Sequence, residues 1–417
     1  MSITAKKILI IVTKGEIGGA QVSVFNLAKG LKEKGLEVTV GFGSGDFLKE
    51  KLEEAKIPFH NFNSLRRTKN PIKNLGFIFE IKKFLDQNHF DVVHFNSSNA
   101  LLGAIGTKLS GKKPKNYFIR MTVPQARGGI QTVFTFQGLS VLDPNYKTFK
   151  PIKILYKLLF KFLLKFIDHK VFVSQTNLEY AQKIGIISPS TIYHLPATVI
   201  YNGLDLKDSD FLPRDEARNF LFSKLNINPL FPSGESHGEG VVKDQRSKIN
   251  DASDLNRMYV VGSIGRLAYP KNYEFLIKTF PDILKAKPNV ICIIIGDGPD
   301  RNSLQLLADS LQLQDKVFLI GEIKDAYKYL KAFDLFVLPS IYEGLSISLI
   351  ETLFAKVPTL AANVGGNAEI LDKEHLYSLN NKQEFIEKIK NTSKQTRNYK
   401  KEKFSLKETV KKYTEIY

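Results

Sequence analysis

The chain has 417 residues, more than one hydrophobic core usually serves, so two domains are expected. It is 43% apolar, carries a formal charge of +18 and has one cysteine, Cys292, which excludes a disulfide framework and suits a reducing cytoplasm. No apolar run approaches the length of a membrane span and Ile8–Val12 is too short for a signal-peptide core, so neither bilayer insertion nor a leader is expected.

Nucleic acid, an anionic membrane surface and a phosphorylated substrate could each answer that charge. No aromatic RNP strand, paired Cys/His set or basic zipper appears, which argues against nucleic acid. Short apolar runs alternate with amphipathic stretches in both halves, the pattern of parallel α/β sheets. Strands are expected in the first half at Ile8–Thr13, Glu37–Phe42, Asp91–Phe95, Val133–Phe136, Lys170–Val173 and Val199–Tyr201.

Gly18-Gly19-Ala20 follows the first of these and opens a helix over Gln21–Lys29. It is not the Gly-x-Gly-x-x-Gly fingerprint, so a hydride-transfer cofactor is disfavoured. The backbone there is expected to approach a second substrate or a diphosphate. His94 ends the third strand and is weighed as a catalytic group against a structural one. Residues 115–130 form an irregular insertion with no assigned role.

From Pro151 to Ile167 the chain is a basic helix in which Lys153, Lys157, Lys161 and Lys165 recur every four residues among Leu, Ile, Phe and Tyr. Packing on the sheet with lysines in water, and docking on an anionic membrane surface, are given similar weight. Residues 208–257 lose the α/β rhythm and read as a linker with a loose polar insertion near 228–256. Asp208-Ser209-Asp210 mimics a metal-binding triplet, but its place in that linker discounts it.

Second-half strands are expected at Tyr259–Ile264, Val290–Ile295, Val317–Ile320, Leu335–Leu338 and Thr359–Ala361. The first runs into Gly265-Arg266-Leu267-Ala268-Tyr269-Pro270-Lys271, placing a guanidinium fork and a mobile ammonium at the carboxyl edge of a parallel sheet. Gly296-Asp297-Gly298-Pro299 and Gly365-Gly366 are turns with no decisive chemistry. Glu343 lies in a glycine turn and Glu351 in the apolar helix that follows, about 12 Å apart if the segment is helical. Unpaired N–H groups at such a helix start attract phosphate. Carboxylates on either side suit a nucleotide-sugar: sugar, diphosphate, ribose. A last helix over 405–417 is a candidate to fold back on the first domain.

In this order, Gly18-Gly19, Asn202-Gly203-Leu204-Asp205, Gly265-Arg266-Leu267, Lys271-Asn272, Gly296-Asp297-Gly298-Pro299, Ser340-x-x-Glu343-Gly344, Glu351 and Gly365-Gly366 resemble the retaining glycosyltransferases of family four. The resemblance implies the GT-B architecture, two Rossmann-like domains facing across a cleft, with an acceptor-side domain at 1–207 and a donor-binding domain at 258–404. It implies a nucleotide-sugar donor, a glycan or lipid-linked acceptor, no metal and no further cofactor; the donor's base and sugar are left open, with a UDP-sugar favoured over a GDP-sugar. Arg266 and Lys271 would hold the diphosphate and Glu343 the sugar hydroxyls. Glu351 would bind the ribose, and the N–H groups of Gly344, Leu345 and Ser346 would face phosphate or sugar. Gly265 would turn the chain, while Gly18 and Gly19 would border the leaving group.

One departure stands out: where the family usually places His in a Thr-x-His-Gly context, this chain has Thr135-Phe136-Gln137-Gly138. Gln137 can bond a sugar hydroxyl but cannot accept a proton near neutral pH. His94 is then the acceptor-side alternative, and a binding or tethering protein of impaired activity is the rival reading. A GT-B epimerase or phosphorylase is the rival among enzymes, the latter disfavoured by the lack of a lysine context for pyridoxal.

Overall fold

The computed structural model describes residues 5–68, 71–110, 129–188, 197–225, 257–391 and 401–417. The expected insertion at 228–256, and that at 115–130 except for its last two residues, lie outside them.

The first lobe contains β1 (Lys7–Val12), α1 (Gly19–Glu33), β2 (Glu37–Phe42), α2 (Asp46–Glu54), β3 (Phe59–Asn61), α3 (Leu75–Gln87), β4 (Val92–Phe95), α4 (Gly103–Leu109), β5 (Gln131–Phe136), α5 (Lys150–Leu163), β6 (His169–Phe172), α6 (Gln175–Lys183) and β7 (Thr198–Val199). The second comprises α7 (Arg214–Ser223), β8 (Tyr259–Ile264), α8 (Tyr273–Ala286), β9 (Val290–Ile295), α9 (Arg301–Ser310), β10 (Val317–Leu319), β11 (Leu335–Leu338), α10 (Ile347–Ala355), β12 (Thr359–Ala362), α11 (Asn367–Ile370), β13 (Leu376–Tyr377) and α12 (Lys382–Asn391). Helix α13 (Leu406–Ile416) closes the chain. This is the GT-B arrangement of two Rossmann-like parallel-sheet domains.

The strands are parallel, ordered 3-2-1-4-5-6-7 in one sheet and 10-9-8-11-12-13 in the other. Run-on apolar strands such as Val-Ile-Cys-Ile-Ile-Ile in β9, buried at every position, are what a sheet covered on both faces demands. In each sheet the order reverses once, between β1 and β4 and between β8 and β11. Ligands bind open α/β sheets at the carboxyl edge of such a switch point. The loop after β8 carries Arg266 and Lys271, that after β11 carries Glu343, and that after β1 carries Gly18 and Gly19.

Three expectations need adjusting. Two short strands, β3 and β13, were not foreseen. Helix α1 begins at Gly19 rather than at residue 21. The stretch read as linker contains α7, whose Ala217, Leu221 and Phe222 are buried with Val260 and Ile291 of the second lobe. Arg218 fastens it there, donating to the Ala332 carbonyl at 3.0 Å and to Asp334 at 2.6 Å. Only one face of α7 is apolar, which is why its composition resembles a connection.

Helix α13 returns to the first lobe. Val410, Tyr413 and Tyr417 are buried with Ile8, Ile10 and Leu27. Val410 lies so close to Gly30 that a Cβ there would meet it at 2.5 Å. The two chain crossings between lobes pair with each other, Leu204 N–H donating to the Phe404 carbonyl at 2.9 Å and Leu406 N–H to the Leu204 carbonyl at 3.0 Å.

Candidate active site

Helix α10 starts at Ile347, so Glu343 lies in the turn before it and Glu351 just over one turn inside. Ser346 caps the helix, its hydroxyl accepting from the Leu349 N–H. The N–H groups of Gly344, Leu345 and Ser346 donate to no described residue, which leaves a cluster of amide donors at a positive helix end. Lys271 meets Glu343 at 2.7 Å, and Ser340 donates to the same carboxylate oxygen at 2.7 Å. The stem of Lys271 lies along Gly265, where a Cβ would approach Lys271 Cε to 3.3 Å. Arg266 is exposed and meets no described partner.

Glu351 is partly buried and accepts no hydrogen bond from a described residue. Desolvation pushes its carboxyl up to about 8, with Asp325 adding to the shift and Lys271 opposing it. Lys271 is therefore close enough to act on both glutamates. The loop around Glu343 tolerates no side chains at its glycines. A Cβ on Gly365, whose φ is 50°, would strike the Glu343 carbonyl at 1.9 Å, and one on Gly344 would strike the Gln137 carbonyl at 2.0 Å.

The second of those contacts spans the cleft, and others do the same. Ile347 Cγ1 lies 3.4 Å from where a Cβ on Gly19 would be, so the positive ends of α1 and α10 converge. Asn177 donates to the Gly344 carbonyl at 3.1 Å. The Glu369 carboxylate of the second lobe accepts from the N–H groups of Gln175 (3.0 Å) and Thr176 (2.9 Å), capping α6 of the first, and from the Tyr201 hydroxyl at 2.8 Å. Neither Asn177 nor Glu369 was foreseen, though an acid in the first turn after Gly365-Gly366 was a visible hint.

The acceptor-side expectations fare differently. His94 has no exposure; its Nδ1 meets the Tyr417 hydroxyl at 2.5 Å and its Nε2 the Thr135 hydroxyl at 2.7 Å. Burial pushes its pKa down to about 3, so it stays neutral, and α13 seals it from the cleft. It is a structural residue. The Gln137 amide donates to Asn96 at 3.1 Å and accepts from Asn202 at 2.9 Å, so it is engaged within the first lobe rather than turned to a ligand.

One cleft carboxylate was missed. Asp143 is only 4% exposed, and burial holds its carboxyl up at about 6 with help from Glu343 and opposition from Asn145 and Lys153. Its setting, Leu142-Asp143-Pro144-Asn145, looks like ordinary turn chemistry.

Known proteins resemble this chain in sequence and in fold. The model of Glycosyltransferase Family 4 matches residues 17–208 and that of Glycosyl transferases group 1 matches 245–410. The chain is 25% identical over 388 residues to the UDP-Gal:alpha-D-GlcNAc-diphosphoundecaprenol alpha-1,3-galactosyltransferase of Escherichia coli, covering 89% of this chain and 85% of that one. An uncharacterized glycosyltransferase of Methanocaldococcus jannaschii is 39% identical over 117 residues, 28% of this chain and 29% of that protein's length. Among solved structures, Anabaena HepE in complex with UDP and glucose superposes with a TM-score of 0.71 over 99% of both chains at 18% identity, a likeness of fold.

Proposed function

This chain belongs to the GT-B glycosyltransferases of family four and group one, and we propose that it transfers a sugar from a UDP-sugar to a glycan or lipid-linked acceptor with retained anomeric configuration. The observation that carries this reading is the Lys271–Glu343 pair at 2.7 Å, set beside free amide donors at the head of α10. An incoming diphosphate would draw Lys271 from Glu343, add the Arg266 fork and accept from the amides of 344–346. Glu343, released, would take hydroxyls of the sugar, and Glu351 the ribose diol. Two cations and a helix end meet the charge of a departing diphosphate, so the proposed mechanism routes no step through a metal or another cofactor. Attack from the face the diphosphate leaves would retain configuration.

Support for the donor comes from HepE, whose structures hold UDP and UDP-glucose, and from the E. coli relative, named for UDP-Gal. That relative's diphosphoundecaprenol acceptor favours a role in cell-envelope polysaccharide synthesis. No helix among the described residues is long and apolar enough to cross a membrane. Helix α5 nevertheless leaves Ile154, Leu155, Leu158 and Phe162 half or more exposed, with Lys147, Lys150, Lys161 and Lys165 also in water. Lys153 instead turns in to the Asp143 carbonyl at 3.0 Å. The other lysines and that apolar face suit docking on the anionic inner face of a cell membrane, at about 1 kcal/mol per lysine.

The test is a melting-temperature panel of UDP, GDP, ADP and UDP-sugars, followed by transfer assays with the product anomer read by NMR. UDP and one UDP-sugar should raise melting by a few degrees. Absence of any nucleotide response, or an inverted product, would overturn the reading; binding without turnover would favour the impaired-protein rival that Gln137 suggests. Wild type should also sediment with phosphatidylglycerol vesicles, and a Leu155→Ser/Leu158→Ser/Lys161→Gln/Lys165→Gln variant should not.

A further inference from the structure

The loop that leaves β3 crosses the carboxyl edge of the first sheet and carries two arginines side by side, Arg66 and Arg67. We propose that this pair holds the diphosphate of a lipid-linked acceptor, with the lipid chain lying along the apolar stripe of α3. The inference names the acceptor class for the reading above and rests on it.

Principles of chain geometry place the pair at the cleft. The Phe62 N–H donates to the Phe42 carbonyl at the end of β2 at 2.8 Å, and the Leu65 carbonyl lies so close to Gly43 that a Cβ there would meet it at 2.2 Å. On the far side Asn99, in the loop after β4, donates to the carbonyls of Arg66 at 3.2 Å and Thr68 at 2.7 Å. Ser97 of that same loop meets the Thr13 hydroxyl at the end of β1 at 2.5 Å. The arginine loop therefore reaches the switch point between β1 and β4, where an open α/β sheet takes its ligands.

Two side chains from the segment that follows complete the clasp. Buried Asn74 accepts from the Arg66 N–H and donates to the Arg66 carbonyl, both at 2.9 Å. The Glu80 carboxylate accepts from the N–H groups of Asn63 at 2.8 Å and Ser64 at 2.9 Å, so it is occupied by main-chain amides. The main chain of Arg66 is bonded at both ends, yet its guanidinium and that of Arg67 are exposed and meet no described partner. A guanidinium fork pairs bidentately with phosphate oxygens, and two forks on a fixed main chain match the charge of a diphosphate.

The neighbouring surface favours a lipid on that diphosphate. Ile72, Leu75 and Phe79 recur at helical spacing just after the loop and are exposed, with Lys73 also in water. Phe77, Ile78 and Ile81 of α3 are buried with Phe160 and Leu163 of α5, so both helices cover the same face of the sheet. The stripe thus lies on the side of the lobe whose α5 surface suits a membrane. A chain left in the bilayer would hold its diphosphate at the water boundary, and the attached sugar would extend into the cleft. A free glycan would need neither the cations nor the stripe.

The plainer account is that both arginines are solvated residues of a surface turn, or add to the attraction of α5 for anionic lipid. Calorimetric titration separates these accounts. The probe is farnesyl diphosphate, added to the full chain already saturated with UDP so that the donor site is closed to it; inorganic pyrophosphate and farnesol are the controls. Wild type should bind the probe and bind either control at least about tenfold more weakly. Arg66→Gln/Arg67→Gln should melt within a few degrees of wild type and keep its UDP affinity, while its affinity for farnesyl diphosphate falls about tenfold or more. Leu75→Ser/Phe79→Ser should lose several-fold for the same probe. Unchanged probe affinity in either variant, no probe binding by UDP-saturated wild type, or pyrophosphate binding as tightly as the probe would each overturn this inference and leave the transferase reading intact. So would an arginine variant that keeps the probe but no longer sediments with phosphatidylglycerol vesicles, which would assign the pair to the membrane surface. A wild type that binds no UDP would overturn that reading, and this inference with it.

Discussion

The two rims of the cleft use opposite chemistry. The second lobe presents ionisable groups: Arg266, Lys271, Glu343 and Glu351 on loops and a helix start at one switch point. The corresponding depth of the first lobe is a neutral chain, His94 to Asn96 to Gln137 to Asn202, joined by hydrogen bonds of 2.9–3.1 Å. Lys271 and Glu343 hold each other and Arg266 meets no described partner, so an incoming anion can exchange for one contact and use the other cation, whereas amides bonded to one another are committed to holding the fold. The contrast teaches that a polar residue at a strand end in a cleft is not thereby a site residue; what matters is whether its capacity is already used.

The largest expected effect comes from attacking the charged rim. Arg266→Ala and Glu343→Ala should each lower turnover at least about tenfold with little loss of melting temperature, measured by steady-state transfer. Wild-type-like rates in both would end the assignment of that rim. The neutral rim should respond in the reverse way. His94→Ala opens a cavity and takes one hydrogen-bond partner each from Thr135, Asn96 and Tyr417, at a cost of about 2–4 kcal/mol. Thermal melts should show several degrees lost while the UDP-induced rise survives.

The pH response sharpens the contrast. The depressed pKa of His94 means its contribution to stability is present above 6.5 and lost as pH falls toward 3. Glu351 acts with the other sign: its raised pKa gives stability that is complete below 4.5 and lost as pH rises through about 8. Glu351→Gln should therefore melt higher than wild type at pH 8.5, with the gap closing toward pH 4.5, while its response to UDP weakens. The smallest effect should come from Glu369→Ala, which removes the cap on α6 at about 1 kcal/mol. Small-angle scattering should show a slightly larger radius of gyration; no change would mean the lobes are held elsewhere, for instance by Lys51 and Asp325 at 3.3 Å.

Most of the fold was legible because its strands are apolar runs bounded by glycine turns. The charged rim was legible because Arg266, Lys271, Glu343 and Glu351 stand at recognisable spacings from those turns. What escaped depended on distant partners. The burial of His94 is imposed by Tyr417, 323 positions away. Helix α7 looked like linker because its polar faces outnumber its single apolar one. Asp143 was hidden in residues that any turn would use, and only the approach of Ile341 and Glu343 distinguishes it.

The return of α13 to the first lobe has a consequence for how the molecule is made. Residues 406–417 are synthesised some two hundred positions after the first lobe's sheet, yet they cover α1 and complete the hydrogen bonds of His94 and Thr135. At roughly 5–20 residues per second, the first lobe waits on the order of ten to forty seconds with that seam open while the second is synthesised. A nascent chain stalled before residue 406 should therefore be sensitive to protease within its first two hundred residues, and released chains should not.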